Sequence, residues 1–425
     1  MPTRHRTGAG VTGRGGWRER DFGIFWLVQT LSVAGDSFSS LALPLLVLHM
    51  TGSVAQMGLL TALAGAAAVV TGIFAGVLVD RVDRRALLIT CDLVRAGLYA
   101  LVPLLWLIQP QIWLLYLVVP LGAALGMIFQ VGYVAAVPSL VPADRITEAN
   151  GRLSATYAVA GVVGPILAGL VSAAAGPTTA VAVDAATFGV SALGLALVRL
   201  RVTAPPIAPD GTTEQRGAAR YRRDLLVGIR FLVRHPVLRT LTVLLALLTF
   251  LATGLTDIFT YHLKQDLGRS DGTVGYVLAV AAVGTVVAAL VVAPARRRLG
   301  FGACWIGANV TGGIAVAAVG VATDVPVVAA LVATYTFAAG AAGICSMSLR
   351  QQVTPDHLLG RVTSAFWTVH SALGPLGAAT LTAATARYGS AATCLVAGVA
   401  SVLIAMVGVL TPIRQARPEL SPVTA

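Results

Sequence analysis

Asp36, Asp92, Arg95, Asp184, Asp257 and His370 each stand inside a run of apolar residues. A charge in such a setting is expensive to keep, so each is a candidate for function. Asp36 lies near the middle of the first run, where a carboxyl can take up and release a proton; a structural acid held by Ser32, Ser39 or Ser40 is the alternative. Asp92 and Arg95 are three apart on one helical face and can neutralise one another, as a fixed pair or as a mobile relay. Asp257 falls in the outer half of its run and is a candidate to line a cavity, whereas Asp184, nearer the end of its run, reads as a water-exposed cap. His370 titrates in the useful range, with hydrogen-bonded packing as the other reading. Phe38, Phe129, Tyr133, Tyr157, Phe259, Phe337, Phe366 and Trp367 are spread over these runs and include candidates to stack on a planar, amphipathic molecule. Enzymatic constellations are missing. There is no HExxH, no nucleophile elbow and no metal cluster, and Lys264 is the only lysine, so a Walker-type phosphate loop cannot be written. The expectation is a protein that is not an enzyme, needs no cofactor and is not itself an ATP-driven pump. Cys91, Cys304, Cys345 and Cys394 lie in apolar runs without Cys-x-x-Cys pairing and read as small buried hydrophobes.

The elements that carry these residues follow from composition. Hydrophobic residues make up 56% of the 425 and charged ones 11%, with a mean hydropathy of +0.83. A soluble domain has about 25% charged residues, so this surface must face lipid. Runs of about 18–25 apolar residues succeed one another, each long enough to cross roughly 30 Å of hydrocarbon as a helix. They predict twelve spans near 22–49, 55–79, 86–107, 111–137, 150–174, 178–198, 238–263, 272–293, 301–322, 325–348, 360–385 and 390–412. The first run is too long for a secretory leader, contains Asp36 and lacks a small-residue cleavage site, so it reads as retained. Arginines at 81, 84, 85, 145, 152, 296–298, 350, 361, 414 and 417, with the N-terminal tail and the 199–239 connection, gather on one side. Lys264, Arg269 and Arg387 remain on the other, a bias that predicts cytoplasmic termini. The net charge of +12 is therefore topogenic and does not form a nucleic-acid surface.

The predicted organisation is a disordered tail (1–21), a six-helix bundle (22–198), a linker (199–237), a second six-helix bundle (238–412) and a C-terminal tail (413–425). The linker begins Pro-rich at Pro205-Pro206 and becomes amphipathic, with Leu225, Ile229 and Leu232 on one face and Arg222, Arg223 and Arg230 on the other. That pattern predicts a helix lying on the membrane surface, with docking to a partner as the alternative. The chain also repeats itself. Ser53–Gly58 returns as Ser270–Gly275, 217 residues on; Gly151–Ala155 is echoed by Gly360–Ala365, and Gly164-Pro165 by Gly374-Pro375 at 210. A half-length repeat in a helical membrane protein implies two bundles facing across a central cavity.

The second span ends Gly76-Val77-Leu78-Val79-Asp80-Arg81-Val82-Asp83-Arg84-Arg85. This resembles the Gly-x-Leu-x-Asp-Arg-x-Gly-Arg-Arg loop of the major facilitator superfamily, with Asp83 in the usual glycine place. Gly76 is expected to allow close helix packing, Asp80 to accept hydrogen bonds from a neighbouring helix N-terminus, and Arg81, Arg84 and Arg85 to hold the loop at the anionic surface. Together they predict a gate. At the 217 offset Arg297 replaces Asp80, so a different gate is expected in the second half. Ala160–Gly169, with Gly164, Pro165 and Gly169, is similar to the Gly-Pro signature of superfamily antiporters, although Ala160 and Ala168 replace two of its glycines. Gly35-Asp36, Leu43-Pro44-Leu45, Asp92–Ala96, Pro142–Asn150 and Asp224–Arg239 further resemble the bacterial exporter branch of macrolide-efflux proteins and the enterobactin exporter.

The resemblance implies an all-α membrane protein of the major facilitator fold, in the bacterial inner membrane, exporting a small hydrophobic or amphipathic compound in exchange for protons. A monomer is the family expectation. Two rivals are a dedicated exporter of a siderophore or self-made metabolite, and a transport-incompetent sensor or assembly partner. An acidic gate loop and a midplane acid occur in the first half alone, so proton handling is expected there.

Overall fold

The computed structural model describes residues 15–141, 146–198, 225–355 and 358–418. Outside these lie Arg145, the Pro-rich linker, Arg222, Arg223 and Asp224. Among the described residues all regular structure is helical. The first half contains α1 (Gly15–Thr51), α2 (Val54–Arg81), α3 (Arg84–Trp106), α4 (Ile112–Leu140), α5 (Ile146–Ala175) and α6 (Pro177–Leu197). After α7 (225–234) come α8 (Pro236–Ala252), α9 (Leu255–Tyr261) with a π turn at His262–Asp266, α10 (Asp271–Val319), α11 (Val325–Val353), α12 (Leu359–Ala372) and α13 (Gly374–Val407).

Ten described helical segments are long and apolar enough to cross a membrane. Two of them are much longer than one crossing needs. The 49 residues of α10 would extend about 73 Å if straight, more than twice the roughly 30 Å of hydrocarbon, and the helix is broken at Gly300 (φ 83°, ψ 173°). The 52-residue stretch Leu359–Leu410 is broken at Gly389 (φ 85°). Both breaks occupy left-handed backbone that glycine alone enters without strain. They fall where the sequence predicts one span to end and the next to begin.

Two predicted spans contain internal turns. The span predicted at 238–263 lies within the membrane-length stretch Pro236–Asp266, where Gly254 (φ 120°) stands between α8 and α9 and a Cβ would be 2.9 Å from Ala378 Cα of α13. The span predicted at 360–385 lies within Leu359–Leu410, with α12 giving way to α13 at Leu373. One sequence expectation needs correction: α7 does not lay its apolar face on lipid. Leu232 is buried in the second-half core, Leu225 and Ile229 pack against it, and Gly228 abuts the Arg361 carbonyl and Ala365 of α12.

Successive crossings reverse direction, which gives the bundle a near end, with the α2–α3 connection and Gly300, and a far end, with the α1–α2, α5–α6 and α9–α10 connections. Among the described residues the buried apolar side chains form three clusters with a clear arrangement. One joins both halves and lies toward the far end, containing Phe38, Leu45, Leu115 and Phe188 with Leu255, Ile258, Val274 and Val328. The other two are near-end cores, each confined to one half: Phe25, Leu88, Tyr133 and Leu195 in the first, Leu238, Phe301, Trp305 and Phe366 in the second. Leu27, Leu193, Leu290 and Leu403 are exposed around the outside, an apolar surface that a lipid environment would cover. Cys91, Cys345 and Cys394 are buried free thiols, and Cys304 is half-buried.

Candidate functional site

In the first half, three carboxyls surround one guanidinium. Arg95 Nη2 of α3 donates to Asp36 Oδ1 of α1 at 2.6 Å, and its guanidinium lies 3.8 Å over the Phe188 ring of α6. The Asp92–Arg95 pairing predicted along α3 is therefore not formed. A guanidinium on a long stem reaches the adjacent helix readily, and stacking on Phe188 holds it there. Asp92 is fully buried, and neither carboxyl oxygen has a hydrogen-bond partner among the described residues. Asp184 is no water-exposed cap. It is fully buried, with Oδ1 accepting from Thr187 Oγ1 at 3.4 Å and Oδ2 unpartnered. The close approach of α1 and α6 depends on Gly35, where a Cβ would overlap both Asp184 and Thr187. Asp36 itself keeps 47% of its side-chain surface accessible, which distinguishes it from the sealed Asp92 and Asp184.

A second set of contacts joins the halves at the far end. Asp257 of α9 accepts from Thr61 Oγ1 of α2 at 2.7 Å. Asp271, which opens α10, accepts from Ser172 Oγ of α5 at 2.8 Å, pairs with Lys264 at 2.7 Å and faces His49 of α1 at 3.4 Å. The repeated glycine motifs meet crosswise beside these bonds. Gly169, one turn after Gly164-Pro165, packs backbone to backbone on Gly275, where a Cβ would lie 2.8 Å from Gly169 Cα. In the related arrangement Gly58 faces Thr382, and Gly65 faces Pro375. Gly164 itself makes room for Ser37 of α1. Ser53 and Ser270, which begin the two copies, cap α2 and α10 by accepting from Gln56 N (3.4 Å) and Thr273 N (3.3 Å).

The predicted gate loop divides into parts with different surroundings. Gly76 is exposed and a Cβ there would meet nothing within 4 Å, so close packing is not its role in this state. The Asp80 side chain lies outside the described residues. Arg81 ends α2 and Arg84 opens α3. Arg85 bonds to the Leu195 carbonyl (3.3 Å) and the Ala196 carbonyl, capping the last turn of α6. Asp83, the departure from the family pattern, caps α3 by accepting from Ala86 N at 2.7 Å. At the 217 offset Gly300 stands in its place, and the chain's own tail does the capping: Phe301 N and Gly302 N donate to the Ala416 and Gln415 carbonyls at 2.9 and 3.1 Å.

A cavity of about 600 Å³ lies in the second half, among α8, the second part of α10, α11 and α12. His370 is one of its wall residues. The ring stacks on Phe366 at 5.1 Å, meets Trp367 edge-on at 5.5 Å and hydrogen-bonds Thr249 Oγ1 at 3.0 Å. Arg350 also lines it, although the sequence assigns that residue to the charged membrane edge. It is 2% exposed and stacks 3.5 Å over Phe366. Sequence reading thus missed Arg350, Asp271 and the buried state of Asp184. The available signal was Phe366-Trp367-x-x-His370, which puts three ring systems on adjoining positions of one helix. The other aromatic candidates are mostly packing: Tyr133 stacks on Phe25 and Phe129, and Phe259 meets Tyr335 edge-on.

The family model for the Major Facilitator Superfamily matches residues 25–379. Over 388 residues the chain is 28% identical to the multidrug efflux pump Tap of Mycolicibacterium fortuitum, covering 89% of this chain and 92% of the relative. It is 24% identical to the enterobactin exporter EntS of Escherichia coli O1:K1 over 416 residues, 95% of each. Among solved structures it is similar to a bacterial homologue of the human lysosomal transporter Spinster, in an inward-facing and unoccupied conformation (TM-score 0.72, 16% identity, 96% of this chain and 98% of that one). A bacterial homologue of the iron transporter ferroportin is also similar (TM-score 0.68, 17% identity, 91% and 99%). Two halves of membrane-length helices, joined through crosswise glycine contacts and matched by the family model over most of their length, place this chain in the Major Facilitator Superfamily.

Proposed function

We propose that this protein is a secondary active exporter that moves a small hydrophobic or amphipathic compound across the bacterial inner membrane in exchange for protons. The observation that carries the reading is the unequal core: one apolar cluster shared by both halves toward the far end, and a separate cluster in each half at the near end. Two rigid bundles held at one end can rock about the shared contact, and this is what alternating access requires. The arginine bias supports a cytoplasmic near end and cytoplasmic termini. In that orientation the described state is closed toward the outside by the Asp271 and Asp257 contacts, and the substrate is loaded from the cytoplasm.

The division into bundles 22–198 and 238–412 supports assigning different tasks to the halves. Asp36, Asp92 and Asp184 around the single Arg95 form a group whose protons can exchange, with Asp36 as the accessible member. The second-half cavity, with Phe366, Trp367 and His370, is where a planar amphiphile has room. The Gly164-Pro165-Gly169 and Gly374-Pro375 helices act as close-fitting surfaces on which the halves move. Coverage of 95% of the enterobactin exporter supports a second reading, export of one self-made metabolite in place of a range of drugs.

Purified protein in proteoliposomes, given an imposed pH gradient and a panel of amphipathic compounds, tests the reading. It predicts that at least one compound moves against its own gradient and that collapsing the pH gradient stops the movement. If no compound moves, or if movement ignores the gradient, the exchange mechanism is lost.

A further inference from the structure

Among the described residues no carboxylate pairs with Arg350. Its side chain is buried, yet Nε and Nη1 have no hydrogen-bond partner, and Nη2 reaches no better acceptor than Met347 Sδ, at 3.0 Å. Compensation comes from the rings of α12: the guanidinium stacks 3.5 Å over Phe366 and lies 5.9 Å from the Trp367 ring centre. The wall of the adjoining cavity is mostly Leu, Ala, Gly and Val, with the rings of Tyr335, Phe366, Trp367 and His370, and no carboxylate is among its described residues. A guanidinium held in such surroundings without an anion costs several kcal/mol. Arginine is always charged, so it cannot escape by losing its proton. Contrast Arg95 in the other half, which has Asp36 at 2.6 Å. Arg95 and Arg350 thus differ in kind: one has its counter-charge built into the protein, and the other has none among the described residues and borders a cavity.

We infer that the missing anion belongs to the cargo, so that this cavity takes an amphiphile with one acidic group, a carboxylate or a similar oxyanion, on an aromatic or apolar body. The acid meets the Arg350 guanidinium where that residue forms part of the cavity wall, and the body lies against Trp367 and the leucines of α8. Guanidinium donors suit planar oxyanions, and the surrounding low dielectric strengthens the pairing while penalising a neutral or cationic competitor. This assignment deepens the export reading and rests on it for the word cargo, but its test does not depend on transport. An anionic lipid headgroup presents the same chemistry as a free acid, so the source must be distinguished.

The probes are 2-naphthoate and its neutral isostere 2-naphthamide. Their binding is measured by equilibrium dialysis against the full chain in phosphatidylcholine nanodiscs, with empty nanodiscs subtracted. In the wild type, naphthoate binds at least about tenfold more tightly than naphthamide, as a charge-assisted hydrogen bond implies. In Arg350→Gln the preference falls to about twofold or less, while naphthamide binds as before and so reports an intact cavity. Arg350→Lys retains part of the preference. Adding phosphatidylglycerol to the nanodiscs leaves naphthoate affinity unchanged. Three results would overturn the inference: equal binding of the two probes in the wild type, or no binding of either; a preference that survives Arg350→Gln; or competition by phosphatidylglycerol, which would assign the site to lipid. If naphthoate preference holds while the pH-gradient assay fails, the exchange mechanism is wrong and the acid site stands.

Discussion

At the scale of single residues, the first half is organised around one satisfied charge and two buried acids. Asp36 is accessible and paired, whereas Asp92 and Asp184 are sealed, so the proposed proton exchange would run through Asp36. Asp36→Asn keeps the size and one acceptor oxygen but removes the titration. It is predicted to lower pH-gradient-driven transport at least about tenfold, equivalent to about 1.4 kcal/mol, while binding of the transported compound is retained. A gradient response equal to that of the wild type would remove Asp36 from the coupling. Asp83 makes a different kind of contribution. Its capping bond to Ala86 N contributes about 1 kcal/mol, so Asp83→Ala is predicted to lower the melting midpoint by about 1 °C, without changing the coupling. A change in coupling with unaltered stability would contradict the capping assignment. The sequence made Asp36 legible because one acid in the middle of an apolar span is conspicuous. It did not reveal which partner Asp36 takes, since that partner comes from α3, 59 residues away.

At the scale of elements, the internal repeat proved informative in a way that hydropathy was not. The two Ser-x-x-x-x-Gly copies and the two Gly-Pro copies are the surfaces on which opposite halves touch: α10 on α5, and α2 on α13. Small residues there let backbones approach to a distance that a Cβ would forbid. Gly275→Leu is predicted to prevent this far-end closure. Transport should be lost, yet the protein should remain monodisperse, because the clash lies between halves and not within a core. Normal transport by this variant would show that the Gly169–Gly275 contact is not formed during the cycle. Other features of the elements were illegible for physical reasons. The breaks at Gly254 and Leu373 interrupt apolar runs whose composition does not change across them. Arg350 resembles any topogenic arginine near the end of a span until packing against Phe366 buries it. The amphipathic face of α7 was plain in the sequence, but whether lipid or α12 covers it is decided by tertiary contact, here by the fit of Gly228 against α12.

At the scale of the whole molecule, the two halves share an architecture and differ in chemistry. The first holds acids around an internally paired arginine; the second holds an arginine and a histidine at the edge of an apolar cavity. Even the equivalent helix starts are capped differently, by the Asp83 carboxylate in one half and by the carbonyls of Gln415 and Ala416 in the other. The division of labour proposed above follows from this asymmetry, and it works only if the far-end contact opens and closes in every cycle. That claim is open to direct test. A Cβ at Gly272 would stand 3.7 Å from Ala173 Cβ across the two halves, within the range for an unstrained disulfide. With Ala173→Cys and Gly272→Cys in one chain, transport in proteoliposomes is measured before oxidation, after it and after reduction, beside the parent protein treated identically. Oxidation is predicted to stop transport in the double variant alone, and reduction to restore it. Undiminished transport by fully cross-linked protein would contradict it.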